Sequence, residues 1–302
     1  MTAFPLALSP LDKLVMTLDN IVSICACPER GLAMLKGCLQ ELEPIMEEPI
    51  AYSLVGDEFH EPLNSLLGKT LELRYTGLKT CIHCGRKVHK LYQNGYCFPC
   101  VRSLAMCDLC IIKPELCHFD QGTCRDESYA ISQCFVPHYV YLAFSSHVKV
   151  GITRKGRQLR RWADQGACAA ILLAEVPNRK MAGEMEAHLR TFMSDRTDWR
   201  KMLQNEDPVS VDLVEVKQQV ADQVPGPFQR YLLWEEQEIF TLKYPRLPNW
   251  KVNLSVFNLD KTPLVSGTLQ GIKGQYLLLD TGVLNVKKFA GYHIELSESA
   301  SP

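Results

Sequence analysis

The chain has 302 residues, with 33 Lys and Arg against 34 Asp and Glu and a formal net charge of −1, which excludes a uniformly basic nucleic-acid coat and leaves room only for local patches. Hydrophobic residues make up 46% and charged residues 22%, ordinary for a chain that buries cores in two or three domains. No apolar run approaches the roughly 20 residues that cross a bilayer, and the opening MTAFPLALSPLDKLV lacks a basic leader and is interrupted by Asp12, so the expectation is a cytoplasmic protein without membrane contact.

Residues 20–78 read as strands separated by turns. Leu71, Leu73 and Tyr75 alternate with Glu72, Arg74 and Thr76, as a strand with one buried face requires. These strands are too few to stand alone.

Residues 79–136 are a cysteine block. Nine of the 13 cysteines fall between positions 81 and 134, and without an export signal such density points to metal rather than disulfides. Cys81-x-x-Cys84 is followed after twelve residues by Cys97-x-x-Cys100, two knuckles whose thiolates can close tetrahedrally on one zinc ion. Gly85 and Gly95 stand where the chain must turn around the metal. A four-thiolate site leaves no position for water, so its role is structural. Cys107, Cys110, Cys117 and Cys124 form a second candidate set, with His118 and Cys134 as alternative ligands, so one or two zinc ions are expected. Cys25, Cys27, Cys38 and Cys168 stay outside the metal assignment.

Residues 137–205 carry the local charge. Segments 139–144 and 148–153 read as a hairpin, Gly151 as a point of close backbone approach, and 157–165 as a basic helix containing Trp162. Lys149, Arg154, Lys155, Arg157, Arg160 and Arg161 occur with no acidic residue between positions 138 and 162. A strand (AAILLAEV) and a second helix (KMAGEMEAHLRTFM) follow. On that helix Met181, Met185, Leu189 and Phe192 mark the expected buried stripe, which sets Glu184 and His188 at its border and Glu186 away from it. Residues 206–249 form a connector with a helix at 211–224 and a tryptophan-bearing helix around YLLWEEQEIF. Residues 250–297 return to short strands with Gly267, Gly271, Gly274, Gly282 and Gly291. The two chain ends are expected either to pair into one small antiparallel β domain or to form two similar barrels, with a disordered SESASP tail.

In the central region Tyr139-Val140-Tyr141, Lys149-Val150-Gly151, Arg161 (or Arg160), Glu184, His188 and Trp199 resemble, in order and spacing, the GIY-YIG nuclease superfamily, in its branch with Lys-Ile-Gly in the second strand and Glu-x-x-x-His on a later helix. Lys149 stands where the common motif has tyrosine, and Tyr139 where it has glycine. The whole layout, from the knuckles through PHYVYLA, KVGIT, RWADQGA and TDWRKML, also resembles a bacterial zinc-knuckle family of unknown function. The resemblance implies an α+β protein whose central domain is an α/β sandwich on a three-stranded antiparallel sheet, flanked by the zinc-ribbon block and the terminal β domain. It implies a phosphodiester-cleaving centre in which Tyr141 is the base, Lys149 contacts phosphate and Arg161 neutralises developing charge. Glu184 would hold Mg2+ or Mn2+, with His188 beside it. Arg154, Lys155, Arg157 and Arg160 would contact DNA or RNA. The alternatives are an inactive DNA- or RNA-binding module and a zinc-stabilised protein-interaction scaffold.

Overall fold

The computed structural model describes residues 32–193, 197–204, 211–251 and 253–299. Cys25, Cys27 and the last three residues of the tail lie outside the described residues.

The first strands are β1 (Leu35–Ile45), β2 (Ala51–Gly56), β3 (His60–Pro62) and β4 (Thr70–Lys79). The cysteine block follows with the short helices α1 (Phe98–Ser103), α2 (Leu109–Ile112) and α3 (Glu127–Tyr129). The central region contains β5 (His138–Phe144), β6 (Val148–Arg154), α4 (Gln158–Asp164), β7 (Ala169–Val176) and α5 (Arg179–Leu189). Next come α6 (Trp199–Gln204), α7 (Leu213–Ala221) and β8 (Phe240–Thr241). The chain closes with β9 (Leu264–Lys273), β10 (Tyr276–Leu279), β11 (Gly282–Asn285) and β12 (Tyr292–Glu298).

Strands from the two chain ends interleave in one eight-stranded antiparallel sheet, ordered β11-β10-β9-β4-β12-β1-β2-β3. β4 lies between β9 and β12, with Leu73 opposite both Val265 and Leu296. Its alternation is as the residue pattern requires: Leu71 and Leu73 are buried and Arg74 is exposed. The second sheet is antiparallel too, ordered β6-β5-β7-β8. The α+β class with antiparallel sheets is therefore as expected, but the central sheet has four strands and not three. The extra strand comes from the segment expected as a tryptophan-bearing helix. That segment is instead the end of a 3-10 turn (Gly226–Tyr231), a bridge at Leu232, a turn at residues 234–235 and then a short strand, with Phe240 paired to Ala170 and Thr241 to Ala169. The buried Lys217 ammonium takes the carbonyls of Leu233 and Glu236, so those groups are satisfied without a helix.

Every residue of β5 is buried, because both faces of its sheet are covered. Tyr139, Tyr141 and Ala143 pack with Trp162 and Ala163 of α4 into the core of the large sheet. Val140 and Leu142 pack on the other face with Ala182, Met185 and Leu189 of α5. α4 and α5 are thereby held on opposite faces of the hairpin.

Candidate zinc centre and arginine cleft

The first cysteine cluster is assembled by two turns. Cys81 and Cys84 bracket one that needs Gly85 at φ +68°, while Gly95 at φ +124° leads Cys97 to the start of α1, on which Cys100 sits. A side chain on Gly95 would meet Ile82 at 2.9 Å. Ile82 N–H donates to the Gly95 carbonyl at 3.0 Å and so ties one knuckle to the other. The four sulfurs lie within 4.8 Å of one another, with Cys81, Cys97 and Cys100 buried and Cys84 exposed. Burial alone would raise the Cys81 thiol, but backbone N–H groups of Cys84, Cys97 and His83 hold it below its ordinary value. An all-sulfur donor set with amides aimed at a thiolate fits structural zinc.

The second expected set is divided by the fold. Cys107 is buried within electrostatic reach of Cys81. Cys110, Cys117, Cys124 and Cys134 line a separate small cavity with Asp108 and His118.

A larger cleft, about 580 Å³, opens where the far end of the hairpin, α4, α5 and the cysteine block meet. Six arginines line it: Arg154, Arg157, Arg160, Arg161, Arg179 and Arg190. Arg160 is held by Glu43 at 2.7 Å and Glu41 at 2.8 Å, Arg190 meets Glu115 at 3.3 Å, and Arg154 hydrogen-bonds Gln133. Arg157 and Arg161 are exposed and, among the described residues, pair with no carboxylate. Behind Arg161, one end of the Gln165 amide lies 3.0 Å from its Nη2 and 3.2 Å from its Nε and the other end 3.1 Å from Tyr141 Oη; turning the amide oxygen toward the guanidinium lets it accept from both nitrogens. Tyr141 lies across Gly151, where a methyl group would fall 2.6 Å from the phenol oxygen.

The cleft contains two residues for which the sequence reading gave no role. His138, with no exposed surface, donates from Nδ1 to the Val136 carbonyl at 2.7 Å and leaves Nε2 without a partner. Burial pushes it down to about 4, helped by Arg179 and Arg154. Glu186 is the cleft's α5 carboxylate; burial raises it from its ordinary value, opposed by Arg190, Arg161 and Arg179.

Of the residues expected to form the centre, only Arg161 lines this cleft. Tyr141 is fully buried, and burial pushes its phenol up despite Arg161, which ill suits it to take a proton from water. Lys149 sits near the hairpin tip, about 16 Å along the strand from Arg154 at 3.3 Å per residue, and donates to Thr197 at 2.7 Å. His188 Nε2 lies 3.0 Å from the Gln223 carbonyl and its ring against Phe192. Glu184 is half-buried near Lys180, away from the cleft. Lys155 is paired with Glu175 at 2.8 Å and also lies outside it, whereas Arg154, Arg157 and Arg160 line it.

The buried stripe of α5 differs from the one its methionines, Leu189 and Phe192 mark in the sequence. Phe192 is exposed, and the buried residues of α5 are Ala182, Gly183, Met185 and Leu189. At about 100° per residue this face is centred near Ala182, roughly 40° from Glu186 and 160° from Glu184. Gly183 was the available signal: a glycine inside a helix needs a packing reason. It packs against Pro114 and Glu115.

None of the described helices is long and apolar enough to cross a membrane. No curated protein and no solved structure matches the chain. The pattern of one family, "Protein of unknown function (DUF2797)", matches residues 68–294, a span that contains both cysteine sets and the cleft-lining residues. The chain belongs to the DUF2797 family.

Proposed function

We propose that the arginine cleft binds the phosphodiester backbone of DNA or RNA, and that Arg161 and Glu186 form the core of a GIY-YIG-like cleaving centre within it. The observation that carries this reading is the convergence in one cleft of Arg157 and Arg161, which pair with no carboxylate among the described residues, with the half-buried Glu186. A guanidinium presents a planar fork that matches phosphate oxygens. Gln165 and Tyr141 orient that of Arg161 from behind, and Gly151 makes room for the tyrosine. Tyr141 thus acts through position rather than as the base. Glu186 is a hard oxygen donor of the kind that holds one Mg2+ or Mn2+ together with phosphate and water, and such an ion would stabilise charge on the leaving oxygen. His138, neutral above about pH 4, offers Nε2 as an acceptor in the same cleft. Zinc at the first cluster would be structural.

The test is a cleavage and binding screen on the zinc-loaded chain with plasmid, single-stranded DNA and RNA, with Mg2+ or Mn2+. Arg161→Ala and Glu186→Gln should each remove product by at least about 10²-fold, the scale of losing one charge-stabilising group, while Glu184→Gln should not. Arg157→Ala should weaken binding to all sequences alike and lower the salt slope by about 1. Salt-dependent binding without product would leave a binding module. Indifference to every nucleic acid would leave the scaffold.

A further inference from the structure

The cavity lined by Cys110, Cys117, Cys124 and Cys134 has a volume of about 20 Å³, room for one small ion. All four are free thiols. They come from α2, the turns after it and, for Cys134, the end of the π-helical stretch Ala130–Cys134 that continues α3, and in sequence they are separated by six, six and nine residues, without a knuckle of their own. The Cys107-x-x-Cys110 pair suggests a knuckle, but α2 begins between them and sends Cys107 to the first cluster's side.

Asp108 and His118 stand beside the four thiols. Asp108 accepts from Arg125 Nε at 2.6 Å, and His118 Nδ1 lies 2.7 Å from Thr123 Oγ1. Arg179 lines the large cleft and reaches toward this cavity through Ile111, which lines both. Its Nη2 donates to the carbonyl of Ile111, next to Cys110, at 2.7 Å, and its buried Nε has no partner. Among the described residues it forms no ion pair with a carboxylate, although Glu186 lines the same cleft. A guanidinium in that position needs an anion close by, and neutral thiols do not supply one.

We propose that Cys110, Cys117, Cys124 and Cys134 hold a second structural zinc ion, whose thiolate shell is the counter-charge of Arg179 on the cleft wall. Binding releases four thiol protons to solvent, and the Zn2+ with four thiolates carries a net charge of −2. Cys134 and Tyr129 line both the thiol cavity and the arginine cleft, so this ion would brace one wall of the larger site. The proposal stands whether or not the cleft binds nucleic acid.

Elemental analysis of the zinc-replete full chain should find two zinc ions. Cys134→Ser should hold one and Cys107→Ser two, and X-ray absorption at the zinc edge should show sulfur neighbours only. In the unmodified protein the four thiols should resist alkylation until a chelator is added, a readout that survives if the variant does not fold. One zinc per chain with these thiols readily alkylated would overturn the proposal, as would two in Cys134→Ser. Loss of one zinc in His118→Ala, with nitrogen at the zinc edge, would replace the set with Asp108, Cys110 and His118, whose donor atoms lie within 4.8 Å of one another.

Discussion

His138 shows how strongly the cleft acts on a single residue. It has no exposed surface, two arginines stand near it, and burial pushes it down to about 4 from an ordinary value of 6.5. An unfolded chain would take up a proton at this imidazole below about pH 6.5, whereas the folded chain would not until about pH 4. The stabilisation is therefore complete above about 6.5 and falls as the pH drops through that window. Imidazole NMR should find the ring neutral and Nδ1-protonated at pH 6, with a midpoint near 4. His138→Asn should flatten the pH dependence of urea unfolding between those values. A midpoint near 6.5 would mean that the ring is open to water. The same burial explains why neither this residue nor Glu186 stood out in the sequence: a histidine at a strand start and a glutamate mid-helix are commonplace until a wall of arginines closes over them.

At the scale of an element, α5 decides which side chains the cleft receives. Its rotation is set by Gly183 against the turn at Pro114–Leu116 as well as by Met185 and Leu189 in the core. A methyl group on Gly183 would lie 2.5 Å from Pro114 Cβ and 2.8 Å from the Glu115 backbone nitrogen. Alanine usually gains about 1 kcal/mol over glycine inside a helix. Here, overpacking against backbone should cost about 1–3 kcal/mol. Gly183→Ala should therefore lower the urea midpoint and weaken the Glu115–Arg190 contact at 3.3 Å; a raised midpoint would show that the turn yields freely. The helices at 158–164 and 213–221, the hairpin and the strand at 169–176 were legible from their apolar periodicity, because each follows from local pattern alone. The stretch at 231–241 was not. Its outcome depends on the Lys217 ammonium and on Phe240 meeting the Trp162 ring at 5.2 Å.

Across the whole molecule the cysteine block ties the two sheets to the cleft. It enters from β4, leaves into β5, and lends Ile111, Ile112, Pro114, Tyr129, Gln133 and Cys134 to the cleft wall. Structural zinc in small motifs contributes about 10–16 kcal/mol of apparent binding energy, more than so small a block can replace by apolar packing. Chelation should expose residues 81–134 to limited proteolysis and loosen α5, while the eight-stranded sheet resists cleavage. An unchanged fragment pattern after complete zinc removal would show that the block holds without metal.

By itself the sequence determined what depends on short stretches of chain: the two knuckles at Cys81–Cys84 and Cys97–Cys100, the alternating strand at Leu71–Tyr75, and Gly151 as a point of close approach. Only the tertiary structure decided that the chain ends share one sheet, that Cys134 and not Cys107 lines the cavity of Cys110, and that Glu186 rather than Glu184 shares the cleft with Arg161. The reason is physical. Periodicity and turn chemistry act over a few residues, but the rotation of a helix and the neighbours of a thiol are settled by the surfaces that pack against them, and those surfaces come from distant parts of the chain.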